Sequence, residues 1–298
     1  MAFPIAAPWR AALLACLMLL PPTVLAQKAY PTPDAAAEAF ATALRRNDLR
    51  AMQTVLGTDY KKFIPTADID KSDIAEFLAA WDKQHKTYTE AEGKAIVSVG
   101  DGGWTLPVPL VKSAAGWRFD PRAGGDEMRT RRIGRNELAA MQAVLAYYDA
   151  QREYATKDRN GNGVHEYAQR LVSSYGKHDG LYWPETAGSE ESPLGPLFAS
   201  NKSHGPGYHG YHYKILTGQG KDAPGGAYDY IIGGRMRSGF ALVAWPVKYG
   251  DTGVMTFIVS HEGTVHEKDL GPSTEATARA MTRYNPDKTW KKSDVPTT

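Results

Sequence analysis

Phe240-Ala241-Leu242-Val243-Ala244-Trp245 and Val254-Met255-Thr256-Phe257-Ile258-Val259 are two apolar runs of strand length, rich in β-branched and aromatic residues. They are too short for helices that bury one face. Between them lies Pro246 to Gly253, whose Lys248-Tyr249-Gly250-Asp251 core carries turn residues, so the runs are expected to pair as antiparallel neighbours. Glu262-Gly263 then turns the chain into Thr264-Val265-His266-Glu267, a third strand. Upstream, Tyr211 to Thr217 and Tyr228 to Ile232 read as further strands. An antiparallel meander of this kind must cover its apolar face. The cover is a long helix with Asn136 as cap and Glu137 in its first turn, running to about Ala155, with Leu138, Met141, Leu145 and Tyr148 repeating every three or four residues. Thr274 to Met281 adds a closing helix.

Ahead of this block the texture is different. Ala36, Phe40, Ala43 and Leu44 fall on one helical face, with Asp34 near its start as cap. Leu49, Met52, Val55 and Leu56 make a second stripe that Asp48 can cap and Gly57 can end, and Ile74, Phe77, Leu78 and Trp81 make a third. Three strands follow: Ala95 to Val99, then Trp104 to Lys112 interrupted by Pro107 and Pro109, then Gly116 to Asp120. Residues 27–120 therefore read as a small α+β domain, and residues 137–298 as a second, so the fold class is α+β. Between them, 121–136 holds Pro121, Gly124, Gly125 and Gly134 among Arg129, Arg131, Arg132 and Arg135. It reads as a solvated Gly/Arg-rich hinge, with an anion-binding patch as the alternative.

Residues 1–26 read as a signal peptide: Arg10 in the n-region, the apolar run Ala11 to Leu20, and Val24-Leu25-Ala26 as the cleavage site. The run is short for a membrane span, and no later stretch approaches one. Export places the protein in the periplasm or outside the cell. Cys16, the single cysteine, lies inside the leader; cleavage and lipidation there is the rival reading, and without it the mature chain has no disulfide. With 35 basic against 33 acidic residues, the charge argues against a nucleic-acid partner.

Arg131-Arg132-Ile133-Gly134-Arg135-Asn136-Glu137-Leu138, Tyr182-Trp183-Pro184, Ser192-Pro193-Leu194-Gly195-Pro196-Leu197, Ala223-Pro224-Gly225-Gly226-Ala227-Tyr228-Asp229-Tyr230 and Gly239 to Pro246 resemble the DUF2950 family of uncharacterised exported bacterial proteins. That resemblance spans nearly the whole mature chain and implies no catalytic residues. Gly239 to Pro246, Gly253 to Val259 and Gly263-Thr264-Val265 are also similar to the sheet of type IV pilin-like domains, which implies one long helix on a meander. This chain departs from pilins in having no apolar anchor before that helix. The N-terminal unit is loosely similar to NTF2-like folds.

Chemical signatures are few. G-x-S-x-G, a Walker loop and zinc C-x-x-C pairs are absent from the sequence, and His261-Glu262 with His266 misses H-E-x-x-H by one residue on a hairpin. Asp158, Asn160 and Asn162 alternate before Gly163 as in a calcium loop, with Glu166 as the second carboxylate and Gln169 where a bidentate Glu would close it. The preferred reading is a helix-ending turn and no cofactor; weak calcium binding, near 10⁻⁴–10⁻³ M, is the alternative. The stretch after the long helix is aromatic and polar. Asp179, Trp183, Tyr208, His209, Tyr211 and Tyr213 are candidate ligand-binding residues there, with Tyr182, Glu185, Glu190 and His212 nearby. Rings that stack and polar tips that orient suit a sugar or peptide. In an extended segment His209, Tyr211 and Tyr213 would share one face. The expected function is a non-catalytic binding or assembly factor of the envelope, whose partner is an envelope protein or glycan. An envelope hydrolase using residues 179–213 is the alternative.

Overall fold

The structure, a computed structural model, describes residues 27–185, 190–195 and 207–294. The leader with Cys16 lies outside them, as does part of the Ser192 to Leu197 motif. Two compact units divide between Gly125 and Asp126.

In the first unit, helices α1 (Pro33–Arg45), α2 (Leu49–Leu56) and α3 (Lys71–Lys83) precede a sheet. Thr32, rather than Asp34, caps α1 by accepting from the Ala35 N–H; Asp48 caps α2 as expected, and Asp70 and Asp73 form a capping box on α3. The strands are β1 (His85–Ala91), β2 (Lys94–Val99), β3 (Trp104–Thr105), β4 (Leu110–Ser113) and β5 (Gly116–Phe119), in the order β1-β2-β4-β5 with β3 also on β2. Pro107 and Pro109 fall between β3 and β4, which is why the expected strand is two short ones. Phe40 meets Phe119 and Phe77 at ring separations of 5.4 and 5.9 Å, and Trp81 is buried beside them. Gln27 ties the start of this unit down: its carboxamide nitrogen donates to the carbonyls of Val55 (3.0 Å) and Phe119 (2.7 Å).

The hinge reading is corrected. Residues 121–136 are helical, the first part of α4 (Pro121–Tyr154). Asp120 caps it by accepting from the N–H groups of Arg122 and Ala123, and Pro121 occupies the first position, where a missing N–H costs nothing. Gly124 and Gly125 are not breakers: a Cβ on Gly124 would lie 2.8 Å from Val108 Cγ2, and one on Gly125 would lie 2.5 Å from the Phe63 carbonyl oxygen. The arginines pair along the helix, Arg129 with Asp126 and Arg131 with Glu127. Asn136 is thus mid-helix, not a cap. Its carboxamide donates to the Thr252 carbonyl, and Glu137 accepts from the N–H groups of Val254 and Met255. These bonds fix the entry of a strand.

The second unit carries β6 (Tyr211–Leu216), β7 (Gly218–Gln219), β8 (Tyr228–Asp229), β9 (Ile231–Ile232), β10 (Arg235–Met236), β11 (Ala241–Pro246), β12 (Met255–Ser260), β13 (His266–Asp269), helix α5 (Thr274–Ala280), β14 (Arg283–Tyr284) and β15 (Lys291–Lys292). The main sheet runs β15-β13-β12-β11-β6, antiparallel throughout. Leu242 pairs with Val259 and with Ile215, so the expected meander holds, with β6 added on its far side. β11 is buried along its whole length because both faces are covered. On one face the Tyr147 hydroxyl of α4 reaches the Ala241 carbonyl at 3.2 Å. On the other, Arg279 of α5 lies over the Trp245 ring, and Lys214 donates to the Arg279 carbonyl. The buried stripe of α4 is Ala140, Val144, Tyr147, Gln151 and Tyr154. Met141, Leu145 and Tyr148 flank it, and Leu138 is exposed, so the stripe is rotated from the expected one by about one position.

Candidate functional site

Between α4 and β6 the described residues form no long helix or strand, yet side chains fix the course of the chain. Gln151, fully buried, donates from Nε2 to the Ala168 carbonyl (2.8 Å) and to the Tyr147 hydroxyl (3.0 Å) and accepts from the Ala168 N–H at Oε1 (2.8 Å). It reads both backbone groups of Ala168 and thereby sets Glu166 and Tyr167 beside the helix end. Asp179 is set from its other side: Ser174 donates to it from the backbone N–H (2.7 Å) and from the hydroxyl (2.9 Å).

A cleft of about 260 Å³ opens between these segments, lined by Tyr154, Asn160, Glu166, Tyr167, Arg170 and Asp179, with Ala168 and Gln169. Burial works against the Asp179 charge, but the Ser174 bonds and the Arg170 guanidinium outweigh it and hold the carboxyl below its ordinary range. Arg170 stands 3.9 Å away. Burial, followed by the negative charges of Glu166 and Asp179, pushes the Tyr154 phenol up to about 12. Its hydroxyl donates to the His178 carbonyl at 2.6 Å.

Against the Tyr154 ring, Arg159 has only 2% of its side chain exposed. Its guanidinium lies 5.9 Å from the Tyr154 ring and 5.7 Å from the Trp183 ring and pairs with Glu190 at 3.0 Å. Trp183 is itself buried, stacked on His178 at 4.2 Å, with its indole N–H donating to the Glu190 carbonyl. Lys157 also pairs with Glu190, and these contacts hold the Glu190 carboxyl below its ordinary range.

The remaining candidates sit elsewhere in the unit. Tyr208 and Tyr211 bond each other's backbone across His209-Gly210, and both turn residues have positive φ (50° and 73°), as a type I′ hairpin turn requires. His209 therefore leaves the extended run and does not share a strand face with Tyr211 and Tyr213. Tyr211 is fully buried, its hydroxyl donating to the Met255 carbonyl at 2.9 Å, and the Tyr213 hydroxyl donates to the Tyr208 carbonyl at 3.3 Å. Of Asp179, Glu185, Glu190 and His209, only Asp179 lines the cleft. The carboxylate that joins it there is Glu166, which the sequence pattern places only in the ion loop. No periodicity links residues 166 and 179; the Gln151 and Ser174 bonds, with backbone bonds between 170–173 and 180–182, bring them together.

The loop itself is closed by Asp158, which accepts from the N–H groups of Asn162 (3.0 Å) and Gly163 (2.7 Å). Asn160 and Asn162 both donate to Glu166 Oε1, Asn162 at 2.6 Å. Among the described residues, no group of three or more His, Cys, Asp and Glu side chains is placed to hold a metal, so His261 and His266 do not form one. Each faces a tyrosine, Tyr228 and Tyr284. Among the described residues, no helix is long and apolar enough to cross a membrane.

Comparison with known proteins finds no curated protein and no solved structure that matches the chain. A family model described as "Protein of unknown function (DUF2950)" matches residues 27–293. With the match running almost end to end across both compact units, the chain belongs to the DUF2950 family.

Proposed function

We propose that the protein is exported to the periplasm or beyond, and that it acts there as a non-catalytic factor binding a small polar group of an envelope glycan or peptide. The leader features at Arg10, Ala11 to Leu20 and Val24-Leu25-Ala26 support export. The helix-on-meander plan, similar to pilin-like domains, serves in this reading as a scaffold for the cleft and not for filament assembly. The observation that carries the reading is the cleft, where Asp179, Glu166 and Arg170 converge beside the Tyr154 and Tyr167 rings. Its volume suits one sugar ring or one amino-acid side chain, and charged groups beside flat rings orient such a ligand.

Binding is favoured over hydrolysis by how Asp179 is held. A general acid or base works best with a pKa near the working pH. Asp179 is fixed as an anion by two Ser174 donors and an arginine, which suits an acceptor of ligand hydroxyls or amines. Titration of soluble muropeptides, a disaccharide bearing a short peptide, into the mature protein tests this. Binding is expected, weakened roughly tenfold in Asp179→Asn by loss of a charged acceptor, about 1.4 kcal/mol. Absence of binding, or binding indifferent to Asp179→Asn, overturns it; cleavage of the muropeptide transfers the site to the hydrolase reading.

A further inference from the structure

Glu166 is the least explained charged group in the second unit. It is 7% exposed, and its Oε2 is buried with no hydrogen-bond partner among the described residues. A buried carboxylate oxygen without a donor is costly, so such groups are paired, protonated or bound to a cation. Arg159, the nearby buried guanidinium, pairs instead with Glu190 and Glu153. Two carboxamides converge on Glu166: the nitrogens of Asn160 and Asn162 both donate to its Oε1. A half-turn of each carboxamide would present its oxygen as a ligand, in exchange for the bonds those oxygens now accept from the Asn162 N–H (3.3 Å) and the Val164 N–H (3.0 Å).

We propose that the segment Asp158–Glu166 is a calcium site, closed by the Glu166 carboxylate and completed by the side-chain oxygens of Asp158, Asn160 and Asn162 and the Val164 carbonyl. With Glu166 bidentate these supply about six oxygens, the lower end of what calcium takes. Neutral carboxamide and carbonyl ligands in a flexible loop fit calcium better than magnesium, which demands a tight octahedron and keeps its waters. The set holds no nitrogen or sulfur ligand that would select zinc or copper. Glu166 replaces the bidentate residue that Gln169 cannot supply, three positions earlier than in the usual twelve-residue loop. Only Asp158 and Glu166 carry charge, so the affinity belongs to the extracellular range, about 10⁻⁴–10⁻³ M. Asn160 and Glu166 also line the cleft, so the ion would stiffen one wall, whatever the cleft binds.

The test uses chelator-treated mature protein. Calcium titration by calorimetry should show one ion per chain, and about 10 mM calcium should raise the melting temperature by several degrees. Terbium, a calcium mimic excited through nearby aromatic rings, should give sensitised emission that calcium displaces. Glu166→Gln and Asp158→Asn should each weaken calcium binding at least tenfold, and Glu166→Gln, which removes the buried charge, should melt no lower than the parent in chelator. Should one variant fail to fold, the other and the parent titration decide. No heat and no thermal response to calcium in the parent protein, or parental affinity in Glu166→Gln, would overturn the site.

Discussion

Gln151 occupies a position on α4 where a core residue is expected, and it is the side chain on which the geometry of the cleft depends. Its three hydrogen bonds are made in full burial, where each broken one leaves a group without water to replace it. Gln151→Leu keeps the volume but strands the N–H and the carbonyl of Ala168. The expected loss is about 2–6 kcal/mol in urea unfolding, at ~1–3 kcal/mol for each stranded group. Because Ala168 is two residues from Glu166, the variant should also lose muropeptide binding. Helical periodicity cannot reveal such a residue. A glutamine interrupts an apolar stripe, and the stripe drawn through Leu138, Met141, Leu145 and Tyr148 passes just beside the true buried line. Asp179 was legible as a polar residue in an aromatic stretch. That it shares a cleft with Glu166 was not, because that depends on hydrogen-bonded crossings and on no spacing in the chain.

At the scale of elements, α4 shows how glycine misleads. Gly124 and Gly125 lie where another chain segment approaches too closely for a Cβ, whereas a Cβ on Gly134 would meet nothing within 4 Å. The two kinds of glycine should therefore respond oppositely. Gly134→Ala is expected to stabilise by about 0.5–1 kcal/mol through helix propensity alone. Gly124→Ala, pushed against Val108, should destabilise despite the same gain. Chemical denaturation of the two variants beside the parent measures both signs. β11 and β12 were legible because apolar runs bounded by turns are a local signal. The beginning of α4 was not, since a run of Gly and Arg reads as linker until its neighbours are known. The route from Thr156 to Tyr208 carries turns and short bridges in its described part; its order comes from those isolated backbone bonds and from Gln151, Arg159 and Ser174, contacts that leave no period.

For the whole molecule, the α+β class and the antiparallel meander follow from the order of elements along the chain, and the match over residues 27–293 spans both compact units. Gln27 is anchored through its carboxamide to Val55 and Phe119. If the leader is cut after Ala26, the new amino terminus belongs to a glutamine, a residue whose free amine ordinarily attacks its own carboxamide, expels ammonia and closes a lactam ring. Here the nitrogen that would leave is held by two carbonyl oxygens, so ring closure has to break both bonds and loosen the contact between α2 and β5. The folded mature protein is expected to keep an open, charged amino terminus on storage, whereas the urea-unfolded chain cyclises. Intact-mass measurement of the two samples over time reads the difference directly, and equal cyclisation in both would show that the docked carboxamide gives no protection.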